Sequence, residues 1–350
     1  MQKSVQFFSF ILFTFLLGPA FQLIAEETAR DPRPQKYNLT ARASEIDSRA
    51  REYPKLRFVF DNQGKPADLQ HAAVDTSVAS RRQLVIWLMG HNQGLFDRLS
   101  SYGLHAIQVH YANGWFGTIP ADERDSGKAL GDIRLEAATG QDHSPLVDIA
   151  QPDGMMERSL QFVKWLAREN PQGQWNQFLT DDEASLKWDQ VIMCGISHGS
   201  TTAARFAKHQ SVARVVMFSG PRDQFESWQA FPSATPANRY FGFTHVLDGG
   251  WTGDHYCRSW ELLELHEFGP LVVVEDSKPP YGHSRRLLST VDVNNDSRRA
   301  HSMVVPGRSA AKTASGDMLH EPVWRYLFTS PVDETGPAVP TDPDCEKDLK

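Results

Sequence analysis

The chain has 350 residues, 40% hydrophobic and 23% charged, with a formal net charge of -7 and a pI near 6.0. That length buries a sizeable core and fits one large domain or two small ones. The acidic balance excludes a general nucleic-acid binder, which needs a basic face to displace counterions. Three cysteines are too few for a disulfide scaffold.

In chain order, residues 1–25 read first, as an export signal. Lys3 is their only charge, residues 7–17 are almost wholly apolar, and Leu23-Ile24-Ala25 offers a cleavage site before Glu26. The run is shorter than the roughly 20 residues a membrane span needs. No later segment is long and apolar enough to span a bilayer. The mature chain is therefore expected to be exported, periplasmic or secreted, with no integral membrane segment. Residues 26–55 read as a polar N-terminal arm or linker, and residues 56–328 as the folded domain. Residues 329–350 carry Pro331, Pro337, Pro340 and Pro343 among acidic side chains and read as a loose tail. Cys194 falls inside an apolar run, as a small buried hydrophobe would. In an oxidising compartment Cys257 could pair with Cys345, a connectivity that sequence leaves open.

Apolar strand-like runs then alternate with helical patterns. Strands are predicted at residues 57–60, 83–89, 105–109, 190–194, 213–218, 240–247 and 271–274. Helices are predicted around residues 160–166, 201–208, 259–265 and 321–328. The continuous apolar run at 83–89 suits a strand buried on both faces. This alternation argues for an α/β fold: a mostly parallel central sheet with helices on both faces. In such sheets, chemistry sits in the loops beyond the carboxyl ends of the strands.

One loop there stands out. Gly195-Ile196-Ser197-His198-Gly199 joins the strand at 190–194 to the helix at 201–208. A G-x-S-x-G between strand and helix is a nucleophile elbow: flanking glycines let the elements approach while the serine takes a strained backbone. Ser197 is the predicted nucleophile, and the N–H of His198 the predicted oxyanion donor. A serine needs a base held by a third group, in the order serine, acid, histidine for this fold. His301 is the preferred base, because the polar loop 294–299 before it gives slack to reach the sheet edge. His320 and His283 are its rivals. Asp248 is the preferred acid, because it ends the strand at 240–247 and enters the Gly249-Gly250 turn; Asp223 and Asp276 are alternatives. The loop Gly90-His91-Asn92-Gln93-Gly94, after the strand at 83–89, should supply the second oxyanion donor, from His91 or Asn92. Trp115, Phe116, Trp228 and Trp251 fall in candidate edge loops. Trp115 and Trp251 are read as substrate contacts, with buried loop packing as the blander reading.

The stretch resembles the α/β-hydrolase superfamily. Residues 213–223 (ARVVMFSGPRD), 240–248 (YFGFTHVLD), 279–281 and 323–328 (VWRYLF) look more closely like a family of exported bacterial α/β-hydrolase-like proteins. The similarity runs from about Leu84 to Phe328. The family's elbow usually reads G-H-S-Q-G-G; here it is G-I-S-H-G-S, with Ser200 in place of the third glycine, and the loop at Gly90 is less glycine-rich. The resemblance implies a serine hydrolase without naming a substrate. The expected activity is hydrolysis of a carboxylic ester, small or polymeric, through an acyl-enzyme on Ser197. No cofactor is expected, and no metal, since spacings such as H-E-x-x-H are missing. The rival readings are a non-catalytic binding protein on the same scaffold and a serine peptidase.

Overall fold

The computed structural model describes residues 31–346 apart from 121, 124, 125, 224 and 225, so the export signal read at 1–25 lies outside the described residues. Among them nine strands form the main sheet: β1 (Lys36–Arg42), β2 (Leu69–Asp75), β3 (Leu84–Trp87), β4 (His105–Gln108), β5 (Val191–Ile196), β6 (Arg214–Phe218), β7 (Tyr240–His245), β8 (Leu271–Val273) and β9 (Arg286–Ser289). Their order is β1-β2-β4-β3-β5-β6-β7-β9-β8. β1 runs antiparallel to β2, with Tyr37 opposite Val74, and β2 antiparallel to β4; the other neighbours are parallel. This is an α/β-hydrolase fold.

Period-2 alternation sends each central strand's side chains to two separate cores. Leu84 and Ile86, Val191 and Met193, and Val215 and Met217 pack on one face; Val85 and Trp87, Ile192 and Cys194, and Val216 and Phe218 pack on the other. Because both faces are buried, these strands read as unbroken apolar runs. The α-helices of seven residues or more among the described residues are α1 (Gln93–Ser101), α2 (Gly127–Thr139), α3 (Met155–Glu169), α4 (His198–His209), α5 (His255–Leu262), α6 (Ser297–Met303) and α7 (Glu321–Thr329). α2, α3, α4 and α5 cover the first face, through residues such as Ile133, Phe162, Phe206 and Trp260. α1, α6 and α7 cover the second, through Phe96, Met303 and Trp324.

Four expectations need correction. The arm expected at residues 26–55 contains β1: Tyr37, Leu39 and Ala41 alternate along it and pack on the first core, so the sheet starts before residue 56. No strand forms at 57–60, because Arg57 turns left-handed at φ 55° and leaves Phe58 in a lone bridge to Tyr53. The tail is not loose. Arg285 Nη2 donates to the carbonyls of Val332 and Glu334 at 2.7 and 3.0 Å, and the Gly336 and Val339 N–H groups donate to the His283 and His266 carbonyls. A Cys257–Cys345 disulfide closes it onto α5. Backbone groups and a covalent bond hold this segment, so it shows no apolar periodicity. Finally, the loop expected to carry His301 is helical there: Asp296 caps α6 by accepting from the Arg298 and Arg299 N–H groups, and Ala300 and Met303 are buried.

Candidate active site

Ser197 sits between β5 and α4 with φ 55° and ψ -118°. An L-residue reaches this region only under strain that its surroundings hold in place. Both flanking glycines are required sterically. A Cβ on Gly195 would lie 2.3 Å from the carbonyl carbon of Gly199, and one on Gly199 would lie 2.5 Å from the Leu88 carbonyl oxygen. The Ser197 N–H donates to the Phe218 carbonyl at 3.0 Å, which ties the turn to β6. Its carbonyl accepts from the Ser200 and Thr201 hydroxyls at 2.7 and 3.0 Å. The N–H groups of His198, Gly199 and Ser200 have no acceptor among the described residues. They form the positive end of α4 beside the serine.

On the neighbouring strand ends, His301 Nδ1 lies 2.9 Å from Asp248 Oδ2. Asp248 follows β7 and is 1% exposed. Its Oδ1 accepts from the Gly250 N–H at 2.9 Å and the Tyr256 hydroxyl at 3.1 Å. Burial pushes this carboxyl up, but the His301 hydrogen bond and charge, with the Gly250 N–H, outweigh it and leave the pKa below the ordinary carboxylate value. With Nδ1–H committed to the carboxylate, His301 Nε2 is free to accept a proton. The Ser219 hydroxyl, directly after β6, donates to the His301 carbonyl at 2.8 Å and fastens α6 to the strand beside the elbow. Ser197 Oγ makes no hydrogen bond among the described residues, to His301 or to any other group. The expected contact of about 2.6–3.2 Å is therefore not closed in this structure.

The rivals are occupied elsewhere. His320 is 1% exposed and pairs with Glu275 at 2.9 Å. His283 lies 3.4 Å from Glu334 of the tail. Asp223 is buried in a bidentate pair with Arg134. Asp276 is exposed.

The loop after β3 behaves differently from its side-chain expectation. Asn92 caps α1 by accepting from the Leu95 N–H at 3.0 Å and donates to the Pro306 carbonyl at 2.8 Å. The His91 ring stacks on His71 at 4.0 Å, towards the sheet edge. Only backbone N–H groups of this loop remain to act as donors; those of Met89, Gly90, His91 and Asn92 have no acceptor among the described residues. Trp115 is a correction. It is fully buried, beneath Arg134 and 4.7 Å from the His198 ring, and cannot touch a substrate. Its neighbour Phe116 is 45% exposed. Trp251 is half-buried, 5.4 Å from Trp260. Sequence reasoning missed Ser219, Tyr256 and Arg134. No motif marks them, since they act through long-range packing. Asp254, Cys257 and Cys345 are the one acid–cysteine trio among the described residues close enough to share an ion. Its two cysteines are joined to each other, which leaves no thiolate to ligate.

No protein-family model and no curated protein matches the chain. Among solved structures, esterase B from Lactobacillus rhamnosis aligns at 12% identity over 85% of this chain and 88% of its own, with a TM-score of 0.37. A Klebsiella pneumoniae protein assigned as a dienelactone hydrolase aligns at 11% identity over 76% and 91%, with a TM-score of 0.34. A lid-less serine hydrolase from Xanthomonas campestris aligns at 10% identity over 61% and 73%, with a TM-score of 0.29. At such values these likenesses carry no argument of their own, and the fold rests on the strand order and the strand–turn–helix at Ser197.

Proposed function

We propose that this chain is an exported serine hydrolase that cleaves carboxylic esters through an acyl-enzyme. The reading is supported by the strained Ser197 at the head of α4 and, tied to the end of the same strand β6 through Ser219, a half-exposed histidine paired with a buried aspartate. Ser197 Oγ attacks the ester carbonyl while His301 Nε2 takes its proton. Asp248 holds the imidazole tautomer and stabilises the cation. The tetrahedral oxyanion meets the free His198 N–H and an N–H of the loop 89–92. The alkoxide leaves with the proton from His301, and water reverses the sequence to free the acid.

The Cys257–Cys345 disulfide supports export, since such bonds persist in oxidising compartments. N-terminal sequencing of protein from the host's envelope or medium should begin near Glu26; an intact Met1 on cytoplasmic material rejects export. Covalent labelling by a fluorophosphonate tests the enzyme reading directly. Labelling should fall on Ser197, and an unlabelled, folded protein points to the binding-protein alternative. Turnover of p-nitrophenyl esters without cleavage of aminopeptide substrates separates esterase from peptidase.

A further inference from the structure

Behind the elbow lies a buried polar chain that the proposed triad does not use. Arg134 comes from the middle of α2 and is 2% exposed. Its Nε and Nη2 donate to the two oxygens of Asp223 at 2.7 and 2.9 Å. Its third nitrogen, Nη1, lies 3.0 Å from His198 Nδ1, 3.3 Å from the His198 carbonyl and 3.3 Å from Thr202 Oγ1. The guanidinium stands 5.1 Å over the buried Trp115 ring, which packs on His198. Every arm of one arginine is committed, and one arm holds the residue that follows Ser197.

We propose that Arg134 is a positioning residue that acts through His198, clamping the first turn of α4 so that the N–H after Ser197 stays aimed at the reacting centre. This rests on the serine-hydrolase reading of the site. Arginine only donates, so His198 Nδ1 accepts and the imidazole is neutral, with its proton on Nε2. That proton faces Asn113 without closing a full hydrogen bond. Burial, then the Arg134 charge, holds His198 well below the ordinary histidine value. The charged and titratable groups around it are Arg134 from α2, Asp223 from the loop after β6 and the Tyr111 hydroxyl from the loop after β4. Asp223 also acts, with Arg222, on His255 of α5. Asp223 is the group that changes the outcome when Arg134 is removed. Its carboxylate then loses its bidentate partner, and the charge that after burial holds His198 down is gone.

The test uses full-length mature protein with p-nitrophenyl acetate and ¹⁵N-labelled histidine. In Arg134→Gln, kcat should fall about ten- to a hundredfold with KM little changed, short of the roughly 10²–10³ that follows loss of an oxyanion donor itself. Its pH profile should gain a second ionisation between about pH 5 and 7. Arg134→Lys keeps the charge without the fork, so it should keep the single ionisation and recover part of kcat. Should Arg134→Gln fail to fold, Arg134→Gln with Asp223→Asn removes both buried charges. The double variant should show a single ionisation, lowered kcat and both tautomers of His198 by NMR. Folded variants with kcat within twofold of wild type, and His198 still held as the Nε2–H tautomer, overturn the proposal. A wild type that neither hydrolyses the ester nor reacts with fluorophosphonate overturns the enzyme reading instead. In that event the tautomer of His198 with and without Arg134 still decides whether the clamp exists.

Discussion

Two histidine–carboxylate pairs stand at the carboxyl end of this sheet, each with a serine close by. His301 pairs with Asp248 after β7, and His320 pairs with Glu275 after β8, both at 2.9 Å. Composition does not separate them; surroundings do. The His301 side chain is 31% exposed and the His320 side chain 2%. Ser289, beside His320, is fully buried inside β9 and donates its proton to Glu275 at 2.7 Å. Ser197 keeps its hydroxyl free, on a strained turn at a helix N-terminus. The His320 cluster is a latch that ties the head of α7 to the strand ends, and the more exposed cluster is the one proposed for chemistry. Serine, histidine and acid make a site only with access, a free hydroxyl and donors for the developing charge.

The sharpest way to break this contrast is to remove each serine. Ser197→Ala should fold normally and lose about 10⁴- to 10⁶-fold in ester hydrolysis. Ser289→Ala should keep kcat within about threefold and lose stability instead, because it unmakes a buried hydrogen bond. Equal activity in wild type and Ser197→Ala, measured with p-nitrophenyl acetate on purified protein, would sink the serine mechanism.

Next come the pairs. Asp248→Asn should cost about 10⁴-fold in kcat by permitting the wrong imidazole tautomer. His320→Gln should leave kcat within a few fold while its melting temperature drops. A collapse of kcat in His320→Gln with preserved fold would exchange the roles of the two clusters.

A pH experiment sharpens the latch. Burial pushes Glu275 up, but hydrogen bonds from His320, the Thr290 N–H and Ser289 outweigh it, and the pKa falls to about 2. A carboxyl lowered on folding stabilises above its unfolded value of about 4.3 and loses that contribution as pH falls through the folded value. The difference in melting temperature between wild type and Glu275→Gln should be constant from pH 7 to 5 and shrink between about pH 4 and 2. A difference independent of pH would deny the carboxylate its role.

The smallest effect is expected at His91, whose ring leans on His71 and away from the elbow. His91→Ala should keep kcat within about threefold, since any donation to the oxyanion comes from its backbone N–H. A loss near a hundredfold would mean that the ring itself reaches the substrate.

Sequence reasoning located the central strands well, because burial on both faces leaves continuous apolar runs such as residues 191–194 and 215–218. It placed the serine at a strand–helix turn and chose Asp248 and His301, which the fold does bring to 2.9 Å. It missed β1, the edge strand, whose polar residues face outward, and β2 beside it, where Gln70 and His71 interrupt the apolar run and Ala72 and Ala73 contribute little apolar contrast. It misread Trp115 because an aromatic in an edge loop looks the same in sequence whether it faces solvent or a buried arginine.

The sequence by itself determined the alternating α/β architecture and the glycine-flanked serine, because periodicity and backbone sterics are local. Only the tertiary structure decided which histidine keeps solvent access, which carboxylate each one meets, and that Asp223 belongs to Arg134. Those outcomes depend on side chains 53, 45 and 89 positions apart meeting across strand ends. Electrostatic pairing and burial act through space, and no spacing along the chain encodes them.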